Sequence, residues 1–212
     1  MTLFVCDKLC KMLCACVMVL AAVAFPAAVF SAQPESFDPF AAGIEDNINH
    51  PKPPQKYRDK LASAMQQLER TLRELGYRTT RVRSGEVVMV TIPCSTLFDP
   101  NSVELRPKAS ATLSQLLPYI KRSDNYKVIV AVHADNTGDE EYSDRITADR
   151  ANAIDEYFVA LNGKRDTGLI PYGLGADEPV APNTGVRNRA ANRRVEIYFV
   201  PTSSYIDKIR NR

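Results

Sequence analysis

A short polar stretch of the chain, H-A-D-N-T-G, carries the residue types best suited to contact a ligand. It follows the apolar run Y-K-V-I-V-A-V, which predicts a buried strand. Residues just beyond a strand of an α/β sheet lie at the crevice where such sheets bind ligands. Asp135 in this stretch could hold a ligand cation such as an ammonium group. The letters D-N-T-G are also typical of a turn, so the stretch alone fits both a site and a simple turn.

A second candidate, Arg150, lies in the motif I-T-A-D-R-A. Thr147 suits a helix N-cap position, which would place Arg150 in the first turn, where a cation is unfavourable by about 0.3 to 1 kcal/mol. The helical spacing also leans Arg150 toward the apolar side of the helix, about 40° from Ile154. We therefore expect Arg150 to face an anion. That anion is either Asp135 or Asp144 in an internal ion pair, or the carboxylate of a ligand held by Arg150 and the helix N–H groups together.

The second alternative has a definite chemical meaning. If Arg150 receives a carboxylate and Asp135 receives an ammonium group, the pair forms a site for the zwitterionic end of an amino acid.

The elements that must hold these residues follow from the apolar pattern. Strands rich in β-branched residues alternate with helices marked by apolar residues at helical spacing. Strands are predicted at 86–92, 126–132, 168–173 and 194–200, and helices at 109–120 and 151–161. Pro118 should distort the first of these helices. The alternation predicts an α/β (α+β) two-layer sandwich, with helices packed on one sheet.

Ordered blocks of sequence make residues 86–201 resemble the OmpA-like peptidoglycan-binding domain family. The blocks are H-A-D-N-T-G, I-T-A-D-R-A, Y-G-L-G-A-D-E-P-V and N-R-A-A-N-R-R-V-E-I, and the loop F-D-P-N-S-V-E-L also matches the family pattern. The resemblance implies a βαβαββ fold with a mixed four-stranded sheet, preceded here by one amphipathic helix.

The resemblance also implies a ligand, the diaminopimelate side chain of the cell-wall stem peptide, bound noncovalently. In the family pattern Asp135 contacts the ammonium group, Arg150 contacts the carboxylate, and Arg193 supports the carboxylate side. The supporting positions are Ala134, Asn136, Ser143 and Thr147. Ala134 stands where the family has threonine, and Ser143 where it has asparagine.

The N-terminal part of the chain predicts export. Two lysines precede an apolar run that begins at Met12 and ends in small residues, so residues 1–31 form a signal peptide with cleavage expected after Ser31. The run is nearly long enough to cross a bilayer, which leaves a membrane anchor as the alternative. Residues 32–56 contain five prolines and few branched apolar residues, so they predict a tether.

Residues 57–77 predict one amphipathic helix. Its apolar stripe consists of Leu61, Met65, Leu68, Leu72 and Leu75. The stripe could form the seam of a homodimer or pack against its own domain. Residues 202–212 are expected to form a C-terminal tail.

Composition and residue placement exclude several classes of function. The formal net charge of +2, and the lack of aromatic residues among the arginines near residue 190, argue against nucleic acid. Four of the five cysteines lie in the first sixteen residues, so the mature chain would hold only Cys94 and no internal disulfide. His133 and Asp135 lack a third metal ligand, and no cofactor is expected.

Two alternative functions are an enzyme and a subunit of a motor stator. An enzyme with Asp135 as base lacks a placed nucleophile or second acid. A motor-stator subunit, which also joins a membrane segment to an OmpA-like domain, needs a carboxylate inside its span, and residues 12–32 contain none. The expected location is the periplasm or outer membrane of a Gram-negative cell envelope, with peptidoglycan as the partner and membrane association through the N-terminal segment or partner proteins.

Overall fold

The structure, a computed structural model, describes residues 37–163 and 169–211. The predicted signal peptide lies outside these ranges. A compact unit begins at Phe37 and includes every element described below. No helix in the described ranges is long and apolar enough to cross a membrane.

A mixed β-sheet forms the centre of this unit. Its strands are β1 (Arg78–Val82), β2 (Val87–Pro93), β3 (Tyr126–His133), β4 (Leu169–Gly173) and β5 (Arg194–Pro201). They lie in the order β1-β2-β5-β3-β4, with only β3 and β4 parallel. The two-layer α/β class is therefore confirmed.

The number of strands differs from the prediction of four, because β1 adds a fifth. Its sequence R-T-T-R-V carries one large apolar residue and lies at the edge of the sheet, so it lacks the alternation that marks a half-buried strand. A tight turn at Arg83–Gly85 joins it to β2 as a hairpin.

Most of the helices cover one face of the sheet, and the first, α1 (Ile44–Asn49), packs on the other. The remaining helices are α2 (Arg58–Glu74), α3 (Cys94–Leu97), α4 (Ala109–Leu113), α5 (Leu117–Ile120), α6 (Glu140–Asn162), α7 (Gly185–Asn192) and α8 (Ser203–Arg210). A 3₁₀ turn at Ser114–Leu116 separates α4 from α5 just before Pro118, which agrees with the expected distortion. The main core lies between this helical layer and alternate residues of the strands, among them Val130 and Phe199.

The apolar stripe of α2 belongs to this core. Leu61, Met65 and Leu72 are at most 1% exposed and contact the main cluster of buried residues. Only Leu75, just beyond the helix, is substantially exposed. The stripe therefore packs within the protein's own domain, so residues 57–77 do not leave it free to form the seam of a homodimer.

Two segments predicted to be irregular are ordered. Residues 37–56, expected to be a tether, fold onto the face of the sheet opposite the main helices, where α1 packs against a second apolar cluster that includes Ile129 and Val200. The expected C-terminal tail forms α8, which buries Ile206 and Ile209 in the main core.

The segment between the last two strands also differs from the simple βαβαββ order, because α7 lies there. Four of its eight residues are arginine or asparagine, and two of these, Arg189 and Asn192, hold the neighbouring loop. The helix therefore has no apolar periodicity from which it could be predicted.

Candidate functional site

A cavity of about 290 Å³ opens at the edge of the sheet where β3 ends. It is lined by all three predicted ligand contacts, Asp135, Arg150 and Arg193, and by the supporting residues Ala134 and Ser143. The structure thus brings together residues from the end of β3, the middle of α6 and the start of β5.

Asp135 is 3% exposed and is held by two neighbours. One carboxylate oxygen accepts hydrogen bonds from the backbone N–H and the hydroxyl of Thr137, and the other pairs with the guanidinium of Arg193. Burial alone would raise the pKa of Asp135, but the Thr137 hydrogen bonds and Arg193 outweigh it and hold the pKa below its ordinary value. Asp135 is therefore a carboxylate at neutral pH.

The guanidinium of Arg193 pairs with Asp135, a contact that the family pattern did not imply. The side chain remains 43% exposed, and it forms part of the cavity wall.

Arg150 is 7% exposed and is held mainly by backbone carbonyl groups. Its Nε donates to the carbonyl oxygen of Ser102 at 2.8 Å, and one terminal nitrogen donates to that of Asp99 at 3.3 Å. The guanidinium carbon also lies 5.0 Å from the ring centroid of Phe98. Neither Asp135 nor Asp144 pairs with Arg150, and within 37–163 and 169–211 it forms no ion pair with any carboxylate.

The prediction that Thr147 caps the helix carrying Arg150 was wrong. Helix α6 begins at Glu140, and Asp139 caps it by accepting a hydrogen bond from the N–H of Tyr142 at 2.7 Å. Thr147 is therefore inside the helix and is no N-cap, and Arg150 lies well past the first turn, away from the positive end of the helix dipole. The demand for an anion arises instead from burial of a guanidinium with only neutral partners.

Thr147 has a structural role behind the cavity. Its hydroxyl donates to the carbonyl oxygens of Ser143 and Asp144, at 2.8 and 3.0 Å, and accepts from the N–H of Gly175 at 3.0 Å. A Cβ added at Gly173 would lie 2.2 Å from the backbone nitrogen of Ala148. The motif Y-G-L-G is therefore explained by the close approach of α6 to the chain that leaves β4.

The remaining predicted supporting residues differ in their placement. The N–H of Ala134 donates to the carbonyl oxygen of Gly175 at 2.6 Å, which fixes the end of β3 beside the loop after β4. Ser143 is buried in the cavity wall. Asn136 is exposed and does not line the cavity.

Sequence reasoning missed part of the cavity wall. The loop from Phe98 to Asn101 and the α6 residues Tyr142 and Ile146 also line it. The hydroxyl of Tyr142 lies 3.3 Å from the side-chain oxygen of Asn101, so the two segments meet at the cavity. The motif F-D-P-N-S-V-E-L indicated this loop. The loop binds Arg150 through backbone carbonyl groups, however, and no pattern of side chains predicts such contacts.

Two residues near the cavity, His133 and Cys94, could in principle bind a metal or act as a nucleophile. His133 is buried with its Nε2 3.3 Å from a carboxylate oxygen of Glu196, and the described residues contain no cluster of three metal-ligating side chains. Cys94 lines the cavity, but burial raises the pKa of its thiol to about 11. The thiol is therefore protonated at neutral pH and is a poor nucleophile.

The sheet thus carries a carboxylate and a buried guanidinium in one cavity at the end of its third strand. Residues 97–193 match the model of the OmpA family.

Particular proteins are similar over about half of the chain. YiaD of Escherichia coli K12 is 29% identical over 119 residues, which cover 56% of this chain and 54% of YiaD. The peptidoglycan-binding protein ArfA of Mycobacterium tuberculosis H37Rv is 32% identical over 100 residues, which cover 47% of this chain and 30% of ArfA. The chain thus spans about half or less of the length of these curated relatives.

A solved structure extends the likeness. The crystal structure of a MotB-like protein from Desulfovibrio vulgaris matches with a TM-score of 0.60 and 25% identity, covering 67% of this chain and 94% of that one.

Proposed function

We propose that this protein binds peptidoglycan noncovalently through the diaminopimelate side chain of the stem peptide. The observation that carries the proposal is that Asp135 and Arg150 line one cavity, while Arg150 is buried there without an anionic partner among the described residues. The name of the relative ArfA, a peptidoglycan-binding protein, supports the same reading.

Both charged groups retain capacity for a ligand. A carboxylate offers about four acceptor positions, and Asp135 uses three of them, two for Thr137 and one for Arg193. A guanidinium carries about five N–H donors, and the structure assigns two of those of Arg150 to backbone carbonyls. A ligand ammonium can therefore join Asp135 while a ligand carboxylate joins Arg150, which matches the two charges at the amino-acid end of diaminopimelate.

Arg193 then has a different role from a direct carboxylate receptor. It neutralises part of the Asp135 charge and keeps that residue ionised while the cavity is empty. Because it is more exposed than Asp135, it can shift toward solvent when an ammonium group arrives.

The site is better suited to binding than to catalysis. A general base works best with a pKa near the operating pH, and the surroundings of Asp135 move its pKa in the other direction. The thiol of Cys94 is protonated, so the wall of the cavity lacks an activated cysteine. We therefore propose a binding protein and not a wall-processing enzyme.

The proposed role is to anchor or support the cell envelope, at the periplasm or outer membrane of a Gram-negative cell. Residues 1–31 would deliver the chain to this compartment, as a cleaved signal peptide or as a membrane anchor. The likeness to a MotB-like protein is compatible with a motor-stator subunit, but the segment 12–32 lacks the carboxylate that a proton-carrying span requires.

The test is to remove each charge and measure binding to purified cell walls. We expect Asp135→Asn and Arg150→Ala to lose most binding, because each leaves a desolvated ligand charge without its partner, at a cost of about 2 to 5 kcal/mol. Matched controls are Asp149→Ala and Arg145→Ala, which remove exposed charges from the same helix as Arg150 and should bind as the wild type does.

Thermal melts must accompany the pull-down, because Arg150→Ala also frees the two carbonyl groups that Arg150 holds. Asp135→Asn keeps the shape of the side chain and separates charge from packing. If folded Asp135→Asn and Arg150→Ala proteins bind walls as well as the wild type, the cavity is not the binding site.

A further inference from the structure

The end of the sheet opposite the cavity has a surface of different chemistry. β3 ends beside the cavity and begins roughly 25 Å away at Tyr126, which pairs with Pro201 at the end of β5. β2 begins at this same end, because Val88 of β2 and Val128 of β3 both pair with Phe199. The turns that enter β2 and β3, and the helix α8 that follows β5, therefore lie together at the end away from the cavity.

The N-terminal part of the described chain also reaches this end. Arg83, in the turn before β2, donates to the carbonyl oxygens of Ile48 and Pro51 at 2.7 and 3.2 Å. The ring of Phe37 stacks on that of His50, with the two centroids 3.9 Å apart. The described chain therefore begins at this end and not beside the cavity.

Positive charge is concentrated here. The described ranges as a whole contain equal numbers of basic and acidic residues. The end opposite the cavity, however, holds ten lysine and arginine residues against five acidic ones, in the segments 37–38, 48–60, 83–86, 121–127 and 202–210. We call these segments the basic end. The rest of the described chain carries the balancing excess of acidic residues, so charge is distributed unevenly over the domain.

Most of the cations at the basic end have no acidic partner. Within the described ranges, ion pairs are formed by Arg58 and Arg83 with Glu86, and by Arg210 with Asp207, but by none of the lysines of the basic end. Several of these lysines are exposed, so their charges face the solvent directly.

Lys127 shows the same excess of cations inside the protein. Its ammonium group donates to the side-chain oxygen of Asn47 at 2.7 Å and to the carbonyl oxygen of His50 at 2.9 Å, and both acceptors are neutral. Burial and the nearby guanidinium of Arg83 lower the pKa of Lys127 to about 8. The local field at this end is therefore positive.

The composition of the basic end suits a lipid surface better than a protein partner. The core of a protein interface is usually apolar and rich in aromatic residues. Six large apolar side chains are substantially exposed in the described ranges, and none of them belongs to the basic end. Attraction to an anionic lipid surface needs only lysine and arginine side chains within about a Debye length of that surface.

We propose that the basic end binds an anionic lipid surface, which turns the cavity away from the membrane. The course of the chain agrees with this orientation. The apolar run of the N-terminal segment precedes Phe37, and the residues between 31 and 37 reach roughly 20 Å at most when extended. A membrane anchor at residues 1–31 would therefore hold this end of the domain close to the bilayer. The lipid contact goes beyond the proposed function and does not depend on it.

The experiment measures co-sedimentation of residues 32–212 with lipid vesicles. This part of the chain contains the whole compact unit with its core, and it lacks the apolar run, which would enter a bilayer by itself. Vesicles of equal parts phosphatidylcholine and phosphatidylglycerol should bind the protein, and vesicles of phosphatidylcholine alone should not. Salt at about 1 M should release the protein, because the Debye length falls to about 3 Å.

The test variant is Lys52→Gln with Lys60→Gln and Lys121→Gln, which neutralises three exposed lysines of the basic end. At about fivefold per basic residue, its affinity for the anionic vesicles should fall roughly a hundredfold. The three side chains form no ion pair within the described ranges, so the variant should melt at the temperature of the wild type.

The matched control is Arg70→Gln with Lys108→Gln and Arg187→Gln. These three residues are exposed, lie outside the basic end and carry the same total charge. The control should keep most of the affinity for anionic vesicles. The comparison therefore separates the position of the charges from their number.

The orientation is measured by NMR on anionic bicelles that contain a paramagnetic lipid. Amide signals of residues 121–124 should broaden, while those of residues 134–138, at the cavity, should stay sharp. Broadening at the cavity would overturn the orientation. No binding of the wild type to anionic vesicles, equal binding to neutral ones, or equal losses in the two variants would overturn the lipid contact. Because no wall fragment enters these measurements, the proposed function is tested separately.

Discussion

Asp135 is almost completely buried, yet its surroundings favour the charged form. Water that would solvate the carboxylate is replaced by two hydrogen bonds from Thr137 and by the guanidinium of Arg193. The carboxylate is therefore charged and oriented before any ligand arrives. In the proposed binding mode, a ligand ammonium would meet this ordered carboxylate, so binding would lose less entropy to ordering.

The Arg193→Ala variant tests this role of Arg193. Removing the guanidinium should raise the pKa of Asp135, since one of the groups that lower it is lost. The charged carboxylate, and with it ligand binding, is present above the pKa and is lost as pH falls through it. The variant should therefore lose binding to a stem tripeptide that ends in diaminopimelate at a higher pH than the wild type does. Near pH 7 it should lose less affinity than Arg150→Ala, because the charges of Asp135 and Arg150 both remain.

The measurement is a titration of tripeptide affinity against pH, with the Asp135 carboxyl followed by NMR. Arg187→Ala, an exposed position on the same helical segment, is the control. An Asp135 pKa that is the same in Arg193→Ala and in the wild type would contradict the assigned role.

Among the elements, α6 and β4 approach each other closely near the site. Gly173 has no side chain because the backbone of Ala148 occupies that space. This contact sets the depth at which Ser143 and Arg150, on the same helix, enter the cavity wall. The geometry of the site thus depends on a residue that does not touch it.

Gly173→Ala should destabilise the protein by about 1 to 3 kcal/mol, because the added Cβ forces the helix away from the strand. Chemical denaturation provides the free energy of unfolding. Gly43→Ala is the control, since its added Cβ would come no closer than 4.0 Å to the nearest group. Equal losses in the two variants would mean that the close approach at Gly173 has no energetic consequence.

A second link between elements lies on the opposite face of the sheet. Glu196 on β5 contacts His133 at the end of β3 and also accepts hydrogen bonds from Arg194 and Tyr198. Burial alone would raise the pKa of Glu196, but these three partners lower it to about 2. The cluster fixes the ends of the two strands that carry Asp135 and Arg193.

Glu196→Gln should lower the free energy of unfolding by about 3 kcal/mol at pH 7, because the buried guanidinium of Arg194 loses its anionic partner. The pKa of Glu196 is depressed on folding, so its contribution is complete above its ordinary value of 4.5 and is lost as pH falls toward about 2. The difference between variant and wild type should therefore shrink over this range in denaturation curves. The exposed Glu141→Gln is the control, and a difference that stays constant with pH would refute the linkage.

The elements also explain what could be predicted from sequence. The central strands were predicted because they are rich in buried β-branched residues. Asp135 was predicted as a site residue because it comes directly after one of these strands. The start of α6 was missed because its first turns are polar and exposed, so the apolar spacing becomes visible only near Ile146. The grip on Arg150 by the carbonyls of Asp99 and Ser102 was missed because backbone acceptors leave no residue-type signal.

At the scale of the whole molecule, residues 37–56 extend the domain beyond the family match. Asn47 is completely buried and donates to the carbonyl oxygen of Pro39 and to the hydroxyl of Tyr172, both at 2.6 Å, while Lys127 donates to its side-chain oxygen at 2.7 Å. Composition predicted a tether because the segment has little apolar surface. Specific polar contacts, which composition does not record, hold it on the sheet instead.

Asn47→Ala should therefore cost about 1 to 3 kcal/mol, since it leaves buried partners without their hydrogen bonds. The segment should also become a substrate for limited proteolysis at temperatures where the wild type resists. Asn49→Ala, an exposed position in the same short helix, is the control. Resistance to protease equal to that of the wild type would show that Asn47 does not hold the segment.

If the protein joins an envelope layer to the wall, as proposed above, the docked segment has a mechanical consequence. Tension between the N-terminal side of Phe37 and a ligand held at the ends of β3 and β5 is carried first by the contacts around Asn47, and only then by the paired strands. Peeling away residues 37–56 would release roughly 65 Å of chain. The binding cavity would remain intact, because its wall is built from later residues. The segment can thus unfold and extend under a sudden force before that force acts on the sheet.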